Sequence, residues 1–198
     1  MTAHSAVPDR QPISADEFMQ LEDENGVYLE LVEGRILRTP ARTVPHALAM
    51  GDLMYSLGQY IATTKLGELL GPCSFKIESK PDTVLIPDVS FISRDRIPVP
   101  LPDTYMDGPP DLAVEVLSDH DPLPPLEDKV RRYLKAGVRL VWIVDPGDES
   151  VTVFEPGGGP VTLRHGQLLD GDPVVPGFDI PVEQIFRRLR DHIPPRHV

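Results

Sequence analysis

A chain of 198 residues, 40% apolar and 25% charged, has enough material for one compact core and too little for two. It holds no apolar run of about 18 residues, which argues against a membrane span. The lone Cys73 leaves no internal disulfide and no cysteine-based zinc site. The polar start, 1–11, is not that of a secretory leader, and the expected compartment is cytoplasmic. A formal net charge of −12 weighs against a nucleic-acid partner, because binding phosphates requires a basic face. A polyanion would have to be met by a local basic patch, a metal or a partner subunit.

Residues 1–12 read as a disordered lead-in. Ser14-Ala15-Asp16-Glu17 spells a capping box and predicts a short helix to about Glu22, with Phe18 and Leu21 inward. Residues 27–32 and 35–39, joined at Glu33-Gly34, predict a hairpin. On it Tyr28, Glu30 and Val32 share one face, and Val27, Leu29 and Leu31 the other. The longest helical pattern runs from Thr43 to about Lys65. Met50, Leu53, Leu57 and Ile61 form its stripe with His46, and Gly67 and Gly71-Pro72 are expected to end it.

Strands are expected at 73–78, 84–92 and 112–117, with the proline-rich 98–110 as a loop. A helix over 126–136 is closed by Gly137. The apolar run 138–144, containing Trp142, predicts a central buried strand. A terminal hairpin (151–154 with 161–164) and a closing helix over 181–190 complete the chain. This order predicts an α/β (α+β) fold in one domain, 13–190, before a short tail: a mixed central sheet flanked by helices, with N-terminal and C-terminal hairpins.

Two stretches carry the chemistry. Pro87-Asp88-Val89 and Asp111-Leu112-Ala113-Val114-Glu115-Val116-Leu117-Ser118 each place a carboxylate in an apolar run. A buried carboxylate is costly unless compensated, and two on neighbouring strands can share a divalent cation. Hard oxygen donors suit Mg²⁺ or Mn²⁺, which activate water and neutralise charge on phosphorus. The plainer alternative is that Asp88 caps a turn and Glu115 pairs with a basic side chain.

Lys129 lies at the edge of the stripe formed by Leu126, Val130, Tyr133 and Leu134, whereas Arg131, Arg132 and Lys135 point away. It either serves the phosphorus centre or attacking water, or snorkels to solvent. Glu30 is a third ligand, a water-orienting base, or a solvated strand residue. His46 is a satisfied core histidine or a site residue. Asp119, His120 and Asp121 read as a solvated loop beside Glu115, with His120 able to touch substrate; His4, His192 and His197 lie in the tails. There is no phosphate-binding glycine loop, no Gly-x-Ser-x-Gly, no His-Glu-x-x-His and no Cys-x-x-Cys.

Together, 28–34, His46 with its helix, Ile86-Pro87-Asp88-Val89, 110–118, Lys129 with Tyr133, and 136–146 resemble the Uma-two family of restriction-endonuclease-like proteins. The resemblance spans about 14–187. It implies the PD-(D/E)XK nuclease fold and Mg²⁺-dependent phosphodiester hydrolysis, with Asp88, Glu115 and the Val116 carbonyl as metal ligands. The lysine of that motif is absent two places after the glutamate, where Leu117 stands, and Lys129 on the next helix takes its place. Glu30 and His46 match supporting positions. Pro124-Pro125 replace a family aspartate before Lys129. The expected function is a metal-dependent DNA endonuclease acting as a homodimer. The rivals are a non-catalytic binding module and a metal-dependent hydrolase of a small phosphate substrate.

Overall fold

The structure, a computed structural model, describes residues 11–21, 27–40, 42–118 and 123–192. Most of the expected lead-in, together with Asp119, His120, Asp121, His4 and His197, lies outside the described residues.

Helix α1 (Ala15–Phe18) starts from the expected capping box: the Ser14 hydroxyl accepts the Glu17 N–H, and the Glu17 carboxylate accepts the Ser14 N–H. It stops at Phe18, short of the expected Glu22. Strands β1 (Val27–Val32) and β2 (Arg35–Pro40) form the expected hairpin. Helix α2 (Val44–Thr64) is capped by Thr43 and ends with Lys65 in the left-handed region.

After it come β3 (Gly67–Leu70), β4 (Phe75–Glu78), β5 (Thr83–Leu85), β6 (Val89–Ser93), β7 (Met106–Asp107) and β8 (Leu112–Val116). Helix α3 (Leu123–Ala136) then leads to β9 (Leu140–Asp145), β10 (Ser150–Phe154) and β11 (Val161–Leu163). Pro124 and Pro125 fall in the first turn of α3, where a missing N–H costs no helical bond. The chain closes with β12 (Leu168–Asp170), β13 (Asp179–Pro181), α4 (Val182–Ile185) and α5 (Arg187–His192).

The strands build a central sheet in the order β11-β10-β9-β8-β6-β3, a second sheet in the order β2-β1-β5-β4-β7, and the small pair β12-β13. The central sheet is mixed: β8 runs parallel to β9, and its other pairs are antiparallel. One face is covered by α2 and the C-terminal segment. There Ala49, Leu53, Leu57 and Ile61 pack with Leu112, Val114, Val116, Leu140, Trp142 and Val144. On the other face Val130 and Tyr133 of α3 meet Ala113, Val141 and Ile143, and continue to Phe75, Ile77 and Leu85 of the second sheet. The alternation follows from the two-residue period of β8 and β9.

Four expectations are corrected. The strand expected over 84–92 is two strands in two sheets, β5 and β6, because Pro87 has no N–H to give a ladder and the chain crosses between sheets there. Asp88 therefore lies just before β6 and not in the middle of a strand. The 98–110 segment is not wholly loop: β7 within it pairs with β4. The closing helix is two helices, α4 and α5, divided at Phe186.

Gly67 does not end α2; it begins β3. A Cβ there would stand 2.0 Å from the Ile92 carbonyl oxygen, a backbone atom that cannot yield. Gly67→Ala is expected to cost about 3 kcal/mol of stability, as overpacking does, read by urea denaturation.

At the end of the central sheet away from α3's Lys129, Asp111 ties three strands together. Its Oδ2 accepts the Ser93 N–H and hydroxyl at 2.8 Å, and its Oδ1 accepts Arg96 at 2.7 Å and Arg139 at 2.8 Å. Burial pushes its carboxyl up, but the Ser93 and arginine donors more than offset this and hold it below the ordinary aspartate range. A depressed folded value means stability present above the unfolded value and lost as pH falls through the folded one. Asp111→Asn is expected to cost about 2–4 kcal/mol at pH 7. Against wild type in acid-range thermal melts, that gap should close below about pH 4.

Candidate active site

The alternation that turns Leu112, Val114 and Val116 toward α2 turns Glu115 the opposite way, toward α3, and leaves it 4% exposed. Lys129 and Tyr133, one helical turn apart on α3, both reach it. The Lys129 ammonium lies 2.9 Å from Glu115 Oε1, and the Tyr133 hydroxyl donates to the same oxygen at 2.7 Å. Lys129 also lies 2.7 Å from Glu30 Oε1, so one ammonium bridges carboxylates from the two sheets. Glu30 is buried on β1, not solvated. Its Oε1 accepts the Ile86 N–H at 2.8 Å, a donor released by the break at Pro87.

Asp88 is placed from the other side of that break. Its N–H donates to the Val114 carbonyl at 2.9 Å, and its Oδ2 accepts the Val116 N–H at 2.8 Å. Its Oδ1 meets the Arg42 guanidinium at 2.8 Å. The Thr43 cap sets His46 in the first turn of α2, where its Nδ1 lies 2.8 Å from the Val116 carbonyl. A carbonyl only accepts, so that nitrogen carries the proton. The other ring nitrogen stands 3.5 Å from Asp88 Oδ1. His46 is thus a buried, hydrogen-bonded histidine within the cluster.

Of the residues singled out from the sequence, Glu30, His46, Asp88, Glu115, Val116 and Lys129 converge here, and His120 lies outside the described residues. Arg42 and Arg132 were missed. Arg132 does not point away from the protein: it is 12% exposed and bonds Asp128, Glu78 and Glu33, fastening α3 to the second sheet. These acceptors hold its guanidinium above its ordinary value, against the effect of burial. Glu78 is pushed up by burial but brought below the usual range by Lys135, Thr83 and Arg132. The network fixes the rotation of α3 and so the aim of Lys129.

Three carboxylates face two cations, Lys129 and Arg42, in a nearly dry site. Burial is the largest cause pushing the Glu115 carboxyl up to about 8; the neighbouring Asp88 and Glu30 charges add to it, and Lys129 opposes it. Burial presses the Lys129 ammonium down, but Glu115 and Glu30 more than reverse this, so it stays protonated. Burial and the adjacent Glu115 carboxylate hold the Tyr133 phenol well above its ordinary value.

The donors fit a hard divalent cation in kind: the Asp88 and Glu115 carboxyl groups and the Val116 carbonyl supply oxygen alone. Among the described residues no group of three or more His, Cys, Asp or Glu side chains forms a ready-made cation cage. Main-chain oxygen and water must complete any coordination shell.

A mixed sheet between two helical layers, joined to a second sheet at the acidic cluster, defines a restriction-endonuclease-like fold. The crystal structure of a "putative nuclease belonging to DUF820" from Anabaena variabilis matches it with a TM-score of 0.80 at 20% identity, covering 90% of this chain and 99% of that one. The family model Uma2, described as "Putative restriction endonuclease", matches residues 15–183, and the chain belongs to this family. No curated protein matches it. Among the described residues no helix is long and apolar enough to cross a membrane.

Proposed function

We propose that the chain is a divalent-metal-dependent endonuclease that hydrolyses DNA phosphodiester bonds, with Mg²⁺ or Mn²⁺ held by Asp88, Glu115 and the Val116 carbonyl. The observation that carries this reading is the bridge from Glu30 through Lys129 to Glu115, at 2.7 and 2.9 Å, beside buried Asp88. When bound, the ion supplies Lewis-acid activation of water and charge neutralisation at phosphorus.

The chain's own residues do the rest. The Tyr133 hydroxyl and the Lys129 ammonium both engage Glu115 Oε1 and fix the rotamer of that carboxylate. Lys129, kept protonated, donates to a non-bridging phosphate oxygen as negative charge builds there. Glu30, whose Oε1 is occupied by Lys129 and Ile86, takes the proton of the attacking water on its second oxygen; the P–O bond opposite the water breaks, and the leaving oxygen takes a proton from solvent. His46 holds the Val116 carbonyl in place.

Cutting both strands needs two sites, so a homodimer is proposed, acting in the cytoplasm. The net charge of −12 favours a second reading, hydrolysis of a small phosphate ester, for which a basic face is not needed. Incubating supercoiled plasmid with Mg²⁺ or Mn²⁺ at low salt tests the proposal. Metal-dependent nicking lost in Asp88→Asn supports it. No nicking by wild type, alongside turnover of a generic phosphodiester such as bis-(p-nitrophenyl) phosphate, moves the second reading ahead.

A further inference from the structure

Arg42 is the charged residue of the cluster to which the mechanism gives no task. It stands in the irregular segment before the Thr43 cap of α2, with its side chain 20% exposed and its Nη2 2.8 Å from Asp88 Oδ1. Asp88 is 1% exposed, and its other oxygen is taken by the Val116 N–H. Oδ1 is therefore the oxygen a metal ion would use, and a guanidinium sits on it.

We propose that Arg42 is a placeholder cation: it neutralises Asp88 in the metal-free protein, yields Oδ1 when a divalent ion binds, and then moves to the substrate phosphate. This rests on the reading of Asp88 as a metal ligand. Charge count supports the exchange. With a divalent ion added, four positive charges face the three carboxylates Glu30, Asp88 and Glu115, so the ion repels the guanidinium from the oxygen they both want. The single excess charge is matched by the one negative charge of a phosphodiester. Shape supports it too: the planar guanidinium fork suits two oxygens of a phosphate. The irregular backbone at Arg42 lets the side chain swing without unwinding α2. In a chain this acidic, a cation delivered to the mouth of the site only once metal is present also limits unproductive DNA binding.

The test uses the whole protein and two readouts besides cleavage. The first is Mn²⁺ titration by calorimetry without DNA, on wild type, Arg42→Gln, Asp88→Asn and Glu115→Gln. The second is binding of a short DNA duplex in Ca²⁺, where cleavage is not expected. Arg42→Gln is expected to bind Mn²⁺ about fivefold more tightly, because its competitor is gone. It is expected to bind duplex about tenfold more weakly, with a salt slope lower by about one. Unchanged or weaker Mn²⁺ binding would mean that Arg42 only holds Asp88 in place, and would overturn the proposal. So would unchanged duplex affinity. If Arg42→Gln does not fold, Arg42→Lys decides: Mn²⁺ affinity near wild type with weakened duplex binding supports the exchange, and wild-type duplex binding sinks it. Loss of Mn²⁺ binding in Asp88→Asn and Glu115→Gln tests the metal reading by itself, so the two failures are distinguishable.

Discussion

Glu115→Gln is expected to make the metal-free protein more stable while abolishing metal-dependent cleavage. The amide oxygen can still accept from Tyr133 and Lys129, which both reach Oε1, so the shape of the site survives. What disappears is a carboxylate buried to 4% exposure among two others. Its folded value, pushed up to about 8, lies above its unfolded one, so its ionisation works against folding as pH rises through that interval. Below about pH 4 the variant and wild type should melt together, since the carboxyl is then protonated in both folded and unfolded chains. Above pH 8 the variant should lead by about 1–3 kcal/mol. On the proposed mechanism, nicking falls at least about a thousandfold, because a cation ligand has lost its charge. Thermal melts across pH, paired with plasmid nicking, check both halves. A variant that melts lower than wild type at pH 8 would show that Glu115 is held by attraction to Lys129 and not strained by excess negative charge.

Lys129→Met is expected to damage both stability and activity. The thioether chain fills much of the lysine's volume, but Glu30 and Glu115 then lose the ammonium that bridges them at 2.7 and 2.9 Å. Breaking a buried pair from one side costs about 3–5 kcal/mol, mostly from the charges left behind. A divalent ion can supply the missing charge, so Mn²⁺ should raise the melting temperature of this variant more than that of wild type. Cleavage should nonetheless fall about 100- to 1,000-fold, the usual loss when one donor to a developing oxyanion is removed. Nicking at wild-type rate with Mn²⁺ bound would remove Lys129 from the mechanism and leave it a purely structural cation.

How much of this was legible beforehand depended on whether the signal was local. The capping box at Ser14, the α2 stripe, the closure of α3 before Gly137 and the buried β9 are written in nearest-neighbour spacing, and each formed close to where it was expected. The carboxylates were legible because a charge inside an apolar run is anomalous wherever it ends up. Lys129 was singled out as a stripe-edge residue, but its aim between Glu30 and Glu115 depends on how α3 is rotated, and Arg132 sets that rotation through Glu33 and Glu78 on the other sheet.

The rest required the tertiary structure. A short apolar run such as 84–92 looks the same whether it lies in one sheet or crosses between two, and only the partners of β5 and β6 decide. β3 and β7 are too short for a periodic signal and exist because a strand edge was available for them to pair with. Arg42 has no pattern around it that announces a buried aspartate beyond the next helix. The sequence by itself determined where the long helices and the central buried strands lie and that Asp88 and Glu115 stand in apolar runs. Tertiary structure decided which of those charges meet, because ion pairs between distant segments leave no periodicity in the chain and arise only when packed helices and sheets bring them within a few ångströms.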